Sequence, residues 1–127
     1  MFFKNFDVKI GSAENIPLPD GSVDVIVTLD SLHEWNNLGK CIKEISRVLK
    51  REGLLIGRDS NKEAPKWRIK LHFIQFAFRE GLKSARGHFS THKWHSLSEL
   101  KQLLEKEHFT IKDARGGVMY TIVGKKH

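Results

Sequence analysis

The feature that most constrains the fold is a strand, a helix and a second strand that follow one another within residues 23–58. Val23–Leu29 is nearly continuous in β-branched and apolar residues, which is typical of a strand buried on both faces of a parallel sheet, so we expect it to be central. Residues 54–58 have the same character. This order forms a βαβ unit, which requires parallel strands and a right-handed crossover. The chain is therefore predicted to be an α/β protein.

The helix between these strands is set by the spacing of its apolar residues. They recur with the helical period on one face, while lysine, arginine and glutamate take the other. Asn36 or Asn37 can cap the start of the helix, and Gly53 is placed to end it. The apolar set is Leu38, Cys41, Ile42, Ile45, Val48 and Leu49.

Two weaker signals flank this unit. Residues 8–12 have the composition of a short strand, and residues 65–82 have the pattern of a helix whose apolar stripe is wider than one core-facing side. We expect something besides the sheet to cover that helix. Its stripe consists of Trp67, Leu71, Ile74 and Phe78, widened by Ile69, Phe73 and Phe76.

The end of the chain is predicted to be a helix followed by a hairpin. Ser96 and Glu99 have the spacing of a capping box, which opens a helix over residues 97–106 with its leucines pointing inward. Residues 109–115 and 118–124 then have the pattern of two strands joined at a glycine pair, which is typical of a β-hairpin.

One segment carries a family resemblance, and it runs Gly11-Ser-Ala-Glu-Asn-Ile-Pro-Leu-Pro-Asp-Gly-Ser-Val-Asp-Val-Ile-Val-Thr-Leu-Asp-Ser-Leu-His-Glu-Trp35. It resembles the middle of a class I S-adenosylmethionine-dependent methyltransferase of the type 11 group. The resemblance implies a partial Rossmann-like methyltransferase sheet, with parallel strands, flanking helices and a C-terminal antiparallel hairpin. It also implies S-adenosylmethionine as the cofactor and methyl transfer as the activity.

The adenine side of the cofactor site is implied at Ser12, Ala13 and Glu14. In the family, a polar side chain here lies beside the adenine amine, and the following Ala-Glu backbone lies along the ring. Serine in place of the usual aspartate keeps a hydrogen-bonding group but loses charge and reach. The alternative is that these are ordinary turn residues.

The methionine side of the cofactor site is implied at Leu29, Asp30 and Ser31, with His33 close to the methyl donor. Ligands of open parallel sheets bind beyond the carboxyl ends of the strands, which is where this loop falls. His33 can orient a substrate or accept a proton, and we take it as the candidate catalytic residue. The alternative is a structural histidine that pins the loop to the helix behind it.

The Gly-rich cofactor loop of the family has no counterpart in this sequence. No G-x-G-x-G or G-x-G-x-x-G occurs, and ten residues precede Gly11. We therefore expect a single truncated domain over residues 1–127, which binds the cofactor weakly by itself and needs a partner for the missing half. Because Val23–Leu29 would have an open edge, a homodimer or a second polypeptide is expected to cover it.

The charge leaves a second class of function open. The formal net charge is +7 and the sequence pI is about 9.7, so the surface attracts polyanions, although scattered lysines also describe a merely solvated surface. A non-catalytic interaction module that binds RNA is therefore the alternative to the enzyme. The single cysteine excludes a disulfide framework and favours an intracellular, cytoplasmic protein. No apolar run approaches the length of a bilayer span, so we expect no membrane partner.

Three histidines gather near residues 86–95, at His88, His92 and His95. Histidine clusters can bind metal, but the neighbouring lysine and arginine disfavour a cation and no carboxylate lies between them. We expect no metal site here. A contact with substrate or polyanion and an ordinary exposed loop both remain open.

Overall fold

The computed structural model describes residues 5–91 and 95–127, with the side chains of residues 88–91 left out of the description. A four-stranded sheet is flanked by helices, and a 3₁₀ turn covers Leu32–Glu34. In chain order the elements are β1 (Val23–Leu29), α1 (Leu38–Val48), β2 (Leu49–Ser60), α2 (Lys66–Glu80), α3 (Leu82–Thr91), α4 (Leu97–Lys106), β3 (Phe109–Arg115) and β4 (Met119–Lys126).

The sheet has the order β1-β2-β4-β3. β1 pairs with β2 in parallel, whereas β4 pairs antiparallel with both β2 and β3. The parallel pair, the connecting helix and the terminal hairpin confirm the predicted α/β class. None of the helices in the described part of the chain is long and apolar enough to cross a membrane.

α1 confirms the predicted helix but ends earlier than expected. Asn37 caps its start, since the side-chain oxygen accepts a hydrogen bond from Lys40 N at 2.9 Å. The prediction that Gly53 ends the helix is wrong, because Leu49 is already extended and pairs with Val23. Gly53 instead lies inside β2 at an irregularity, where a methyl group would come 2.8 Å from the carbonyl oxygen of Lys50.

β1 has the predicted bounds but not the predicted position. It is an edge strand, since β2 is its one neighbour among the described strands. One face packs towards the core through half-buried Ile26 and buried Thr28. The other face leaves Val25, Val27 and Leu29 46%, 57% and 61% exposed. The expectation of a central strand buried on both faces is therefore wrong, because nothing in the described residues covers the second face.

Residues 8–12 do not form the short strand that their composition suggested. They have no regular structure apart from an isolated bridge between Ser12 and Asn15, and both Val8 and Ile10 are exposed. A strand needs a neighbour to receive its hydrogen bonds, and no strand in the described chain pairs with this segment.

The helix predicted over residues 65–82 is confirmed as α2, which ends at Gly81 because that residue adopts a φ of 89°. α3 then covers Leu82–Thr91, so the ordinary exposed loop, one of the two alternatives left open near residues 86–95, is wrong as far as Thr91. No residue of α2 is fully buried. The helix thus lies outside the main core rather than against the sheet.

The core lies between the sheet and the pair α1 and α4. Cys41 is fully buried there, as predicted, and burial raises the pKa of its thiol to about 11. The predicted capping box is confirmed, since Ser96 Oγ accepts from Glu99 N at 3.0 Å. The central cluster consists of Leu32, Leu38, Ile42, Ile45, Leu49, Leu55, Leu97, Leu100, Leu104, Phe109, Tyr120 and Ile122.

Candidate functional site

The loop after β1 is held against the end of β2 by main-chain and side-chain bonds. Asp30 adopts a positive φ of 53° and donates its amide to Arg58 O at 2.9 Å. Thr28 Oγ1 and Ser31 Oγ lie 2.7 Å apart and share a hydrogen bond. The loop therefore leaves the carboxyl end of the parallel pair in a fixed direction, where ligands of such sheets bind.

His33 is anchored by Asp59, the penultimate residue of β2. The two are joined by a 2.7 Å hydrogen bond between His33 Nδ1 and Asp59 Oδ1, and by a 3.1 Å bond from His33 N to Asp59 Oδ2. Asp59 is 1% exposed and also accepts from Ser60 N at 2.7 Å. An ionised carboxylate only accepts hydrogen bonds, so Nδ1 carries the proton and Nε2 is the acceptor nitrogen of the ring. Glu34 Oε1 lies 3.9 Å from that Nε2 atom.

His33 opens onto a cavity of about 560 Å³. The carboxyl ends of β1 and β2 form one wall, and α2 forms another through His72, Phe76 and Arg79. Both acidic and basic side chains line it, together with an aromatic ring and a thioether. The remaining lining residues are Asp30, Glu34, Arg58, Ser60 and Met119.

The residues expected on the adenine side lie in a turn against α1. Ser12 Oγ accepts from Glu14 N at 3.1 Å, which makes the turn self-supporting. Glu14 accepts from Asn37 N at 3.2 Å and lies 3.5 Å from Lys40 Nζ, so its carboxylate fastens the turn to the start of α1. Ser12 and Ala13 line a separate cavity of about 470 Å³.

An arginine fixes the chain between this turn and β1. Arg47 donates to Leu18 O and Ile16 O, both at 2.9 Å, and to the carboxylates of Asp20 and Glu44. The Arg47 hydrogen bond lowers the pKa of Glu44 to about 2, helped by the bond from Ile16 N. The segment that carries the family resemblance is therefore held on α1 by side chains of the helix itself.

The structure brings some of the expected site residues together and separates others. Asp30 and His33 share one cavity, and Ser12 and Ala13 share the other. Leu29 has its side chain on the uncovered face of β1, and Ser31 turns back to Thr28. Glu14 serves the helix terminus.

Sequence reasoning missed Asp59, the group that orients His33. A signal existed, because Asp59 directly follows the strand predicted over residues 54–58, and the carboxyl end of that strand belongs to the same ligand-binding edge as the loop after β1. The aromatic and basic wall contributed by α2 was also missed, since its place over the sheet edge depends on tertiary packing.

The described residues contain no group of histidine, cysteine, aspartate and glutamate side chains that could hold a metal ion. His95 is half-buried, and its Nδ1 lies 3.6 Å from Glu99 Oε2. The other two histidines of the predicted cluster, His88 and His92, have side chains that lie outside the described ones.

Comparison with known proteins shows what this chain is similar to in sequence and in fold. Residues 2–57 match the family model described as a methyltransferase domain. The uncharacterized methyltransferase YcgJ of Bacillus subtilis is 28% identical over 100 residues, which cover 79% of this chain and 39% of that protein. The uncharacterized protein YafE of Escherichia coli is 36% identical over 56 residues, which cover 44% of this chain and 27% of that protein.

A solved structure extends the match to almost the whole chain. The S-adenosylmethionine-dependent methyltransferase from Thermotoga maritima superposes with a TM-score of 0.68 at 21% identity, over 92% of this chain and 62% of that one. At this identity the match shows the fold. The chain spans well under half the length of the two curated relatives.

Proposed function

We propose that this chain, a partial class I S-adenosylmethionine-dependent methyltransferase domain, supplies the acceptor side of a methyl-transfer site built around His33 and Asp59. The observation that carries the proposal is the 2.7 Å bond between a buried carboxylate and Nδ1 of His33, which itself lines a cavity of about 560 Å³. A buried carboxylate that fixes the tautomer and direction of an imidazole is a common way to hold a proton acceptor in place.

The residues present fit part of the cofactor. S-adenosylmethionine supplies a methyl group already activated by its sulfonium, so the protein mainly aligns the acceptor and excludes water. The cavity beside His33 suits the methyl end, and the cavity beside Ser12 and Ala13 suits the adenine end. The chain has no Gly-rich loop for the middle of the molecule.

In this scheme His33 handles the proton that the acceptor loses when it is methylated. Asp59 keeps the proton of the imidazole on Nδ1, and Nε2 takes the proton of the acceptor nucleophile. The nearby carboxylate of Glu34, at 3.9 Å from Nε2, stabilises the imidazolium that results. Phe76 of α2 lines the same cavity and gives it an apolar surface on that side.

A partner completes the site in this proposal. β1 has an unpaired edge among the described strands and an apolar face on which Val27 and Leu29 are more than half exposed. Proteins avoid such edges because they pair with other chains. A second copy or a second polypeptide that carries a Gly-rich loop would extend the sheet at β1 and cover that face.

Titration calorimetry with S-adenosylhomocysteine tests the cofactor part. We expect the chain alone to bind weakly, with amide shifts in NMR spectra confined to residues 12–14 and 29–34. A dissociation constant in the low micromolar range for the chain alone would contradict the need for a partner. Shifts scattered away from both segments would contradict the site itself.

Methyl transfer from tritiated S-adenosylmethionine, with and without a partner, tests the role of His33. His33→Ala should lower kcat more than it weakens cofactor binding, since proton acceptance contributes roughly 10²- to 10⁴-fold. His127→Ala is the control, because that histidine is exposed at the opposite end of the sheet. Unchanged turnover in His33→Ala would return His33 to a purely structural role.

A second candidate rests on the formal net charge of +7. A non-catalytic module that binds RNA would use this basic surface, together with Trp67, whose ring has Arg68 Cζ 5.7 Å from its centroid. Fluorescence polarisation with single-stranded RNA distinguishes the candidates. Strongly salt-dependent RNA binding without any affinity for S-adenosylhomocysteine would favour the module.

A further inference from the structure

α2 has two apolar faces, and the described residues cover one of them more than the other. The inner face holds Phe73 and Phe76, which are half-buried, and Phe76 lines the cavity beside His33. On the outer face, apolar residues recur at intervals of four, three and four, and we call this row the outer stripe. It consists of Trp67, Leu71, Ile74 and Phe78, which are 67%, 49%, 42% and 87% exposed.

Charge flanks the outer stripe on both sides. On a helix of 100° per residue, Lys66 and Lys70 fall along one border and Arg68 along the other. Residues 66–86 contain six lysines and arginines but a single acidic residue, Glu80, which pairs with Arg79 at 2.9 Å. The patch is therefore both apolar and strongly positive.

The start of α3, which follows α2 in the chain, adds further exposed apolar and basic residues. Leu82 is 53% exposed, and Lys83 and Arg86 are exposed as well. An exposed tryptophan and phenylalanine, aliphatic residues between them and a basic border form the pattern of helices that lie in the headgroup region of a bilayer. Anionic lipid would complement the excess positive charge of this surface.

We infer that the outer stripe of α2 docks the protein on an anionic membrane surface. The helix lies in the interface with Trp67, Leu71, Ile74 and Phe78 among the acyl chains and with its lysines and arginines at the headgroups. This contact departs from the expectation of no membrane partner, which rested on the lack of a bilayer-spanning run, because a helix that lies on the membrane surface needs no spanning segment. It goes beyond the proposed methyl transfer and stands independently of it, because none of the four stripe residues lines the cavity beside His33.

The test is flotation of the full chain with vesicles of phosphatidylcholine that contain roughly one third phosphatidylglycerol, against vesicles of phosphatidylcholine alone. We expect binding to the anionic vesicles, with a blue shift of tryptophan emission that Trp67→Phe removes. Binding that is equal on neutral vesicles, or absent from both, would overturn the inference.

Matched variants separate specific docking from general charge attraction. Lys66→Glu with Lys70→Glu should weaken vesicle binding roughly 25-fold or more, since each basic residue near an anionic surface contributes roughly fivefold. Lys43→Glu with Lys112→Glu changes the net charge equally at exposed sites away from α2, and should have a much smaller effect. Equal loss in both double variants would refute docking through α2.

A third double variant tests the apolar contribution. Leu71→Glu with Phe78→Glu should abolish binding even at low salt, while circular dichroism and the thermal midpoint stay unchanged because both side chains are exposed. Retained binding would show that charge alone attracts the protein. If single-stranded RNA produces the shift of Trp67 emission without vesicles, RNA occupies the stripe and the inference fails. If the parent protein does not float and this double variant dissociates a dimer, a second copy occupies the stripe and the inference fails as well.

Discussion

Removing the charge of Asp59 should both destabilise the fold and change the tautomer of His33. Asp59 is almost fully buried and accepts three hydrogen bonds, from His33 Nδ1, His33 N and Ser60 N. In Asp59→Asn one acceptor oxygen becomes an amide donor that faces at least one of these N–H groups. Hydrogen bonds to charged groups contribute about 1.5–3 kcal/mol each, so we expect a loss of about 2–3 kcal/mol in the free energy of unfolding.

Two measurements on the parent chain and the Asp59→Asn variant, without cofactor or partner, check this expectation. Urea unfolding gives the loss of stability, and long-range proton–nitrogen NMR spectra of the histidine rings report the tautomer at about pH 8.5, where an ordinary imidazole is neutral. In the parent protein the Nδ1–H form should predominate at His33, because a carboxylate accepts from Nδ1. In Asp59→Asn the Nε2–H form should become populated.

Asp24→Asn is the matched control. Asp24 lies near the start of the same parallel pair and is exposed. Among the described residues, its carboxylate accepts a hydrogen bond from Lys50 Nζ at 3.1 Å on the surface. Exposed pairs of this kind contribute little, so its stability should stay within about 0.5 kcal/mol of the parent. The reasoning is refuted if Asp59→Asn behaves like Asp24→Asn, or if His33 carries its proton on Nε2 in the parent.

Two further perturbations examine the supports of the site. Arg47 holds the pKa of Glu44 at about 2, against an ordinary value of 4.5. The stability from this pairing is therefore present above pH 4.5 and is lost as pH falls towards 2. In Glu44→Gln the urea midpoint should change less with pH between these two values. Gly53→Ala should destabilise by about 1–3 kcal/mol because its methyl group meets the Lys50 carbonyl, whereas Gly87→Ala, with open space inside α3, should stabilise by up to about 1 kcal/mol in thermal unfolding.

The βαβ unit and the hairpin could be predicted because local signals agree with the tertiary arrangement. The apolar period of α1, the cap at Asn37 and the capping box at Ser96 each depend on residues a few positions apart. The end of α1 could not be placed, since Leu49 satisfies the helical period and also the pairing with Val23. The pairing of Leu49 with Val23, which is distant in sequence, makes Leu49 part of the strand rather than of the helix.

The candidate site was harder to predict because it joins distant parts of the chain. His33 was found from its loop, but its partner Asp59 follows 26 residues later and is brought near only by the parallel register of β1 and β2. The wall formed by Phe76 depends on how α2 folds back over that edge. Neither feature has a signature within a short window of sequence.

The apolar composition of β1 is typical of a strand that is covered on both faces, but the described residues cover only one face. Alternation of apolar and polar residues would have indicated a strand with one wet face, yet Val25, Val27 and Leu29 form an apolar row on the uncovered face. Fully burying such a side chain gains about 1.5–3 kcal/mol, so covering the three, which are now about half exposed, would add several kcal/mol to an association at this face. Apolar side chains are likewise exposed in the outer stripe of α2, but there lysine and arginine border the apolar row. β1 therefore favours a protein neighbour that extends the sheet, and α2 favours an anionic surface.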